Sequence, residues 1–356
     1  WRKDHHSPFG WINEVVWSGS GDRLGFSIDF DGYPTRMYAV KWDEGRPGLT
    51  ELPRPEGVSV EGGTLKFRGD ELCFIGGDHA RRRVYSEAGT VLTPGDVSAK
   101  TFHFSKDGKF QVVVTATLTT PDDLFRFDDQ GALTRLTRIN PQVDRWKIPR
   151  ISLVQWKGAG GETVEGILEL PPDYRKEDGP IPMVVHLHGG PTSATPYEFR
   201  FWIYGRALLP ARGIAVFSPN YRGSTGYGDR FLMDLIGREN DIDVKDILTG
   251  VDAMVERGIA DPDRLGVMGW SNGGFLTNCL ITVTDRFKAA SSGAGVIDQV
   301  LQWGIEDTPG HVINFMEGNY PWTDPSEYRA GSPLFALDKV TTPTLIHVGG
   351  NDPRVP

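Results

Sequence analysis

The stretch "RLGVMGWSNGGFLTNCLITV" (264–283) joins an apolar run to a helix-like pattern through a glycine-rich turn. Ser271 lies within that turn, with Gly269 and Gly273 two residues away on either side. Glycines at these positions allow a strand and a helix to approach closely around a serine whose backbone is forced into a strained conformation. The pattern predicts a nucleophile elbow with Ser271 as the nucleophile, and an ordinary glycine-rich loop is the alternative.

Four further apolar runs flank this stretch, and each ends in glycine or polar residues: "PMVVHLHGG" (182–190), "IAVFSPNYRG" (214–223), "FKAASSGAG" (287–295) and "TPTLIHVGG" (342–350). Short apolar runs are typical of strands buried on both faces of a parallel sheet. Between them, "DIDVKDILTGVDAMVERG" (241–258) repeats apolar residues with helical spacing. Strands that alternate with helices predict an α/β fold, a mostly parallel, doubly wound sheet with its chemistry at the carboxyl ends of the strands.

The first part of the chain is organised differently, as short strands broken by glycine, aspartate and proline. Three segments share a strand, a polar turn and a second strand: "EVVWSGSGDRLGFSID" (14–29), "TLKFRGDELCFIGG" (64–77) and "TFHFSKDGKFQVVV" (101–114). Their turns recur at separations of about 50 and about 37 residues, close to the ~40 to 50 residues of a propeller blade. We predict a partial, all-β propeller of about three blades over 1–145 and an α/β domain over 146–356. A β-sandwich of unrelated hairpins is the alternative for the first part.

Composition and charge argue against several classes of protein. The 38 Lys and Arg residues against 47 Asp and Glu residues give a net charge of −9, without the clustered positive surface that nucleic-acid binding requires. No apolar stretch approaches the ~20 residues that cross a bilayer. Cys73 and Cys279 are too few and too far apart in the sequence for a disulfide framework or a zinc site. We predict no nucleic-acid or membrane partner, no metal and no cofactor, and a cytoplasmic location; self-association into a homo-oligomer is left open.

Acyl transfer also needs oxyanion donors and an acid, and the sequence offers candidates for both. The backbone N–H of Asn272 follows the nucleophile, and the turn "HLHGGP" offers a second donor through Gly189 or Gly190. The acid of this type of site follows the serine in chain order, and Asp352 lies in the loop after a late apolar run. Asp298 follows an earlier run and is the alternative acid.

Four motifs, in this order and spacing, resemble the catalytic domain of the prolyl oligopeptidase family of serine peptidases: "HGGP", "SPNYRGSTGYG", "DPDRLGVMGWSNGG" and "GGNDPRVP". The resemblance covers residues 150–356 and is closest to the acylaminoacyl-peptidase and dipeptidyl-peptidase-like branch, and the repeats of the first part fit the family's propeller. It implies an α/β-hydrolase fold preceded by part of a propeller, and a serine peptidase that hydrolyses oligopeptides through an acyl-enzyme.

The resemblance also assigns site residues by position. They are Ser271 (nucleophile), Asp352 (triad acid), Gly190 and Asn272 (oxyanion hole) and Arg354 (substrate binding). For Arg354, a structural salt bridge is the alternative.

The sequence departs from the family pattern at the catalytic histidine. The resemblance implies a histidine some tens of residues beyond Asp352, where the sequence has only four residues. His311 lies in a predicted loop, but its place before the acid is the wrong order for this fold. We therefore expect the chain to be a fragment that starts within the propeller and stops before the catalytic histidine.

Two other functions share parts of this pattern. A carboxylic ester hydrolase would use the same serine and oxyanion donors, since both reactions pass through an oxyanion intermediate, but the propeller-like part favours peptides. A non-catalytic protein that binds a partner through its propeller would account for the missing base. The elbow and the "HGGP" turn would then have no purpose in binding.

Overall fold

The computed structural model describes residues 5–8, 10–43, 45–201 and 206–355. Its strands form three sheets, two of them before residue 140 and one after it. The first sheet is an antiparallel meander made of β1 (Trp11–Trp17), β2 (Arg23–Asp29), β3 (Arg36–Asp43) and β4 (Arg46–Leu52).

The second sheet consists of two strand groups joined by a single parallel pair. Its strands are β5 (Ser59–Val60), β6 (Lys66–Arg68), β7 (Glu71–Asp78), β8 (Arg81–Ser86), β9 (Ser98–Phe104), β10 (Gln111–Ala116), β11 (Asp123–Phe127) and β12 (Leu133–Arg135). Only Arg82 of β8 and Ser98 of β9 pair across the junction. The three predicted hairpins are confirmed as β1–β2, β6–β7 and β9–β10.

The third sheet is the framework for the site. Its strands are β13 (Arg150–Lys157), β14 (Thr163–Leu170), β15 (Ile181–Leu187), β16 (Ala215–Asn220), β17 (Ala260–Trp270), β18 (Phe287–Gly293) and β19 (Thr344–His347). They are arranged in the order β13-β14-β16-β15-β17-β18-β19. β14 is antiparallel to both its neighbours, β13 and β16. The other neighbouring pairs, β16–β15, β15–β17, β17–β18 and β18–β19, are parallel. The five apolar runs predicted as strands are confirmed as β15 to β19.

The described part of the chain contains six helices, α1 (Asp229–Met233), α2 (Ile242–Glu256), α3 (Asn272–Val283), α4 (Gln299–Ile305), α5 (Pro309–Phe315) and α6 (Ser326–Gly331). α2 and α3 pack against the third sheet, and α4 contacts α5 and α6. Short 3-10 turns occupy Pro141–Arg145, Ala159–Gly161, Lys176–Asp178, Arg206–Leu208, Pro210–Arg212 and Pro333–Lys339. No helix among the described residues is long and apolar enough to cross a bilayer.

The main core lies between the third sheet and its two longest helices. Ile247 and Val251 of α2 and Leu276 and Leu280 of α3 are fully buried in it. Each such side chain contributes roughly 1.5 to 3 kcal/mol when it is removed from water. Because α3 begins where β17 ends, this packing fixes the position of the connecting turn, which contains Ser271.

Candidate active site

The turn that contains Ser271 is held in a conformation that few residues adopt. Its φ of 58° and ψ of −123° lie in the positive-φ region, which costs a non-glycine residue about 1 to 3 kcal/mol. Backbone hydrogen bonds hold it there: the Ser271 N–H donates to the Gly293 carbonyl at 2.9 Å, and the Phe275 N–H donates to the Ser271 carbonyl at 2.9 Å. The hydroxyl therefore projects from a bend between the end of β17 and the start of α3.

Close backbone approach explains the glycines around this turn. A Cβ on Gly269 would lie 2.2 Å from the Gly273 carbonyl oxygen, and a Cβ on Gly273 would lie 2.2 Å from the Leu187 carbonyl oxygen. A Cβ on Gly274 would lie 2.3 Å from the carbonyl oxygen of Gly293. Real Cβ atoms do not make such contacts, so the strand–turn–helix junction closes only with glycine at these positions.

The predicted oxyanion residues lie beside the serine. A Cβ built on Gly189 would be 3.4 Å from Ser271 Cβ and 4.0 Å from Ser271 Oγ. Gly190, Ser271 and Asn272 line the same cavity. The structure thus brings together the two turns that were expected to supply backbone N–H donors.

Tyr221 connects these two turns, and sequence reasoning missed it. Its hydroxyl donates to the His188 carbonyl at 2.8 Å and accepts from Asn272 Nδ2 at 3.1 Å. The His188 ring stacks on the Tyr221 ring with centroids 4.4 Å apart, and burial lowers the pKa of His188 to about 4. His188 is therefore neutral near pH 7 and supports the turn. The motif "SPNYRGSTGYG" contained Tyr221, but the spacing alone did not indicate its contacts.

The two candidate acids occupy different settings. Asp352 lies in the loop after β19, and its Oδ1 accepts the backbone N–H of Arg354 at 2.9 Å and of Val355 at 3.1 Å. Arg354 and Val355 line the Ser271 cavity, whereas Asp352 is not among the lining residues. Asp298 is the N-cap of α4, where its side chain accepts two backbone N–H groups. The alternative acid is therefore engaged in capping the amino terminus of a helix.

Arg354 makes the salt bridge that was considered as the alternative to substrate binding. Its Nε donates to Asp307 Oδ1 at 2.5 Å, and its Nη2 donates to Asp307 Oδ2 at 3.3 Å. The hydrogen bond between the two groups raises the pKa of Arg354 and lowers that of Asp307. Arg354 also lines the cavity, so the guanidinium is both paired and adjacent to the space beside Ser271.

No described residue acts as a base towards the serine. Among the residues that the structure covers, none forms a hydrogen bond with Ser271 Oγ. His311, which was expected in a loop, lies instead in α5 and lines the cavity. Its ring packs against Phe315 with centroids 4.8 Å apart, and burial lowers its pKa. The structure places His311 in the cavity of Ser271 but shows no bond between the two side chains.

Three carboxylates also line this cavity, and sequence reasoning did not select them. The cavity has a volume of about 300 Å³. Its acidic wall consists of Asp31, Glu239 and Glu306, contributed by the first part of the chain, the segment before α2 and the end of α4. Burial and neighbouring carboxylates raise the pKa of Glu239 to about 8, and burial raises the pKa of Glu306 to about 7. No sequence motif links these residues, because only the fold brings them together.

Metal chemistry was not predicted from the sequence. Within the described ranges, no group of three or more His, Cys, Asp or Glu residues is placed to hold a metal ion.

Comparison with known proteins identifies a family. Residues 199–356 match the model of the prolyl oligopeptidase family. The chain is 36% identical over 220 residues to the acylamino-acid-releasing enzyme of Arabidopsis thaliana, a match that covers 59% of this chain and 28% of that protein. It is 30% identical over 283 residues to dipeptidyl aminopeptidase BIII of Pseudoxanthomonas mexicana, covering 74% of this chain and 40% of that protein. The chain thus matches less than half the length of these relatives.

Solved structures share the fold over nearly the whole chain. The Pyrococcus horikoshii acylaminoacyl peptidase superimposes with a TM-score of 0.78 at 22% identity, covering 98% of this chain and 62% of that one. A puromycin hydrolase superimposes with a TM-score of 0.75 at 25% identity, covering 95% of this chain and 53% of that one. Residues 199–356 therefore belong to the prolyl oligopeptidase family, and the fold of the chain is an α/β-hydrolase preceded by part of a β-propeller.

Proposed function

We propose that this chain carries the catalytic machinery of a serine peptidase that hydrolyses oligopeptides through an acyl-enzyme. Ser271 is the nucleophile, Asp352 is the triad acid, and the backbone N–H groups of Gly190 and Asn272 bind the oxyanion. The observation that carries the proposal is the positive-φ turn of Ser271, closed by glycines and lying against the Gly189 backbone.

The reaction follows from this arrangement. Ser271 Oγ attacks the peptide carbonyl carbon while a histidine takes the hydroxyl proton, and the carbonyl oxygen becomes an oxyanion held by backbone N–H groups. The C–N bond then breaks, the histidine protonates the leaving amine, and water hydrolyses the ester of Ser271. Asp352 would orient the histidine, and the family resemblance assigns that histidine to a position after the acid in chain order.

The substrate class is proposed from the relatives. One is named for releasing acylamino acids and another as a dipeptidyl aminopeptidase. We propose that this protein likewise acts near the amino terminus of short peptides. A location in the cytoplasm is part of the proposal, and the two unpaired, buried cysteines are compatible with a reducing compartment.

Two further proposals concern the layout of the chain and the role of Arg354. We propose a boundary at residues 145/146 between the partial propeller and the catalytic domain; it follows the 3-10 turn Pro141–Arg145, which precedes β13. We propose that Arg354 contacts the substrate, because its side chain lines the cavity of Ser271. Its guanidinium is held in place there by the hydrogen bond from Nε to Asp307.

Replacement of Ser271 tests the proposed function in the whole encoded protein. Ser271→Ala should lower kcat for peptide anilides by roughly 10⁴- to 10⁶-fold without loss of the fold. Ser326→Ala, which removes an exposed hydroxyl on α6, is the matched control and should leave the rate unchanged. Undiminished hydrolysis by Ser271→Ala would contradict the assignment, and turnover of short acyl esters without peptides would contradict the substrate class.

A further inference from the structure

The two parts of the chain meet beside the proposed oxyanion hole. The turn between β2 and β3 (residues 30–35, the β2–β3 turn) belongs to the first sheet. The turn after β15 (residues 188–193, the oxyanion turn) contains Gly190, one of the proposed oxyanion donors. The N–H of Gly32 in the first turn donates to Thr192 Oγ1 in the second at 2.9 Å. This hydrogen bond joins the first sheet directly to the oxyanion turn.

The β2–β3 turn is fixed on its other side by α5. Asn314 is only 1% exposed, and its Nδ2 donates to the Asp31 carbonyl at 2.9 Å. Its Oδ1 accepts the backbone N–H groups of residues 6 and 7 at 3.2 and 2.7 Å. Gly32 has a φ of 83°, and a Cβ there would lie 3.1 Å from the Phe315 ring. The β2–β3 turn therefore packs closely against α5, which holds the Gly32 N–H in a defined position.

The catalytic domain itself holds the oxyanion turn at its two ends. The His188 carbonyl accepts a hydrogen bond from the Tyr221 hydroxyl at 2.8 Å. The Ser193 carbonyl accepts the N–H of Thr225 at 3.0 Å. Both donors lie in the segment that follows β16, so one loop of the catalytic domain anchors both ends of the turn.

The middle of the oxyanion turn is anchored from the first sheet. Gly190 has a φ of 121°, in a region that glycine enters without steric cost, so no side chain restricts its backbone. Thr192 lies two residues further on, and within the described ranges its side chain makes one hydrogen bond, the one from Gly32. A donor stabilises an oxyanion only when it is held about 2.7 to 3.1 Å from the developing charge. The restraint on Thr192 therefore bears on the position of the Gly190 N–H.

We propose that the β2–β3 turn positions the oxyanion turn through the hydrogen bond from Gly32 to Thr192. The first part of the chain thereby contributes to stabilising the transition state in the catalytic domain. Thr192 is a positioning residue, since it is not among the residues that line the cavity of Ser271 and acts through Gly190. The inference rests on the proposed peptidase function, because it takes Gly190 as an oxyanion donor.

Replacement of Thr192 in the whole encoded protein tests the inference. Thr192→Val removes the acceptor of the Gly32 N–H and keeps the shape of the side chain. We expect kcat for peptide anilides to fall by about 10-fold, with KM changed by less than about 2-fold, because deletion of an oxyanion donor costs about 10²- to 10³-fold in kcat and a loosened donor costs less. Thr192→Ser keeps the acceptor and should restore kcat to within about 2-fold. Thr192→Ala serves if Thr192→Val is unstable.

Thr93→Val is the matched control. Thr93 is buried in the first part of the chain, where its hydroxyl likewise accepts a backbone N–H, that of Val84, at 2.9 Å. The substitution should lower the melting temperature by a few degrees and leave kcat unchanged. An equal fall of kcat in Thr93→Val and Thr192→Val would attribute the effect to general destabilisation and would overturn the inference.

A transition-state analogue separates a positioning role from a structural one. A peptide boronic acid forms a boron–oxygen bond with Ser271 Oγ, and its tetrahedral boronate places an oxygen where the oxyanion forms. Its affinity should fall by about 10-fold in Thr192→Val, in parallel with kcat, and should be regained in Thr192→Ser. Equal affinity for Thr192→Val and the unmodified protein would overturn the inference.

Hydrogen exchange provides a readout that does not need hydrolysis. The backbone amides within residues 188–193 should exchange about 10-fold faster in Thr192→Val than in the unmodified protein, and Thr93→Val should not alter them. Unchanged exchange, or unchanged kcat, in Thr192→Val would overturn the inference and leave the peptidase assignment intact. If the unmodified protein hydrolyses no substrate, the proposed function fails, and exchange alone decides whether the β2–β3 turn holds the oxyanion turn.

Discussion

The lining of one cavity contains two regions built in different ways. Around Ser271, a Cβ built on Gly269 or Gly273 would lie only 2.2 Å from a backbone carbonyl oxygen. The shape of this turn is therefore set by residues that are neighbours in the sequence. The acidic wall is assembled from Asp31, Glu239 and Glu306, which are far apart in the sequence and lack any shared motif. The first region is suited to performing a reaction common to a family. The second depends on packing between distant parts of the chain.

The largest effect that would sharpen this comparison concerns the proposed acid. Asp352→Asn keeps an oxygen that can accept the N–H groups of Arg354 and Val355, so the loop should persist. It removes the charge that would orient the histidine, and kcat should fall by about 10⁴-fold. Peptide anilide kinetics on the whole encoded protein measure this effect. Asp298→Asn is the matched control. A larger decrease of kcat in that variant would show that Asp298, the N-cap of α4, is the triad acid.

The next effect tests whether the serine turn depends on close backbone contact. Gly269→Ala would force a Cβ to 2.2 Å from the Gly273 carbonyl oxygen. We expect activity to fall by at least about 100-fold, since a shift of about 1 Å in the nucleophile is enough, and stability to fall by about 1 to 3 kcal/mol.

Gly304→Ala is the control for this substitution. Gly304 lies in α4, and a Cβ there would meet no atom within 4 Å. Alanine should stabilise the helix by about 0.4 to 1 kcal/mol. If Gly269→Ala and Gly304→Ala have equal activity and equal thermal unfolding, the serine turn does not depend on close backbone contact at Gly269.

The first region could be predicted from the sequence and the second could not, for a physical reason. The glycines two residues on either side of Ser271 are required by short-range steric contacts, and they can be recognised directly in the sequence. The strands β15 to β19 were predicted from their continuous apolar runs, which are typical of burial on both faces. In the structure β19 is an edge strand, and its Leu345 and Ile346 are exposed. The edge pair β13–β14 was not predicted, since only one of the eight residues of β13 is fully buried and its pattern is mixed. Cavity carboxylates depend on long-range packing and leave no local signal.

The smallest effect is on stability. A glutamate whose pKa rises from 4.5 to about 8 on folding holds a proton that the unfolded chain has lost, so stability declines as pH increases through that interval. Glu239→Gln removes this cost and should raise the melting temperature by a few degrees above about pH 8. Below about pH 4 the two proteins should melt alike. A lower melting temperature for the variant at high pH would show that the ionised carboxylate is stabilised by a partner.

The central claim is that Ser271 is an activated nucleophile, and covalent labelling tests it most directly. A fluorophosphonate probe should form a phosphorus–oxygen bond with Ser271 Oγ and release fluoride when added to the whole encoded protein. Mass spectrometry should locate the label on the peptide that contains residue 271 and should find none in Ser271→Ala. Active peptidase that is labelled at another serine, or is never labelled at residue 271, would contradict the account.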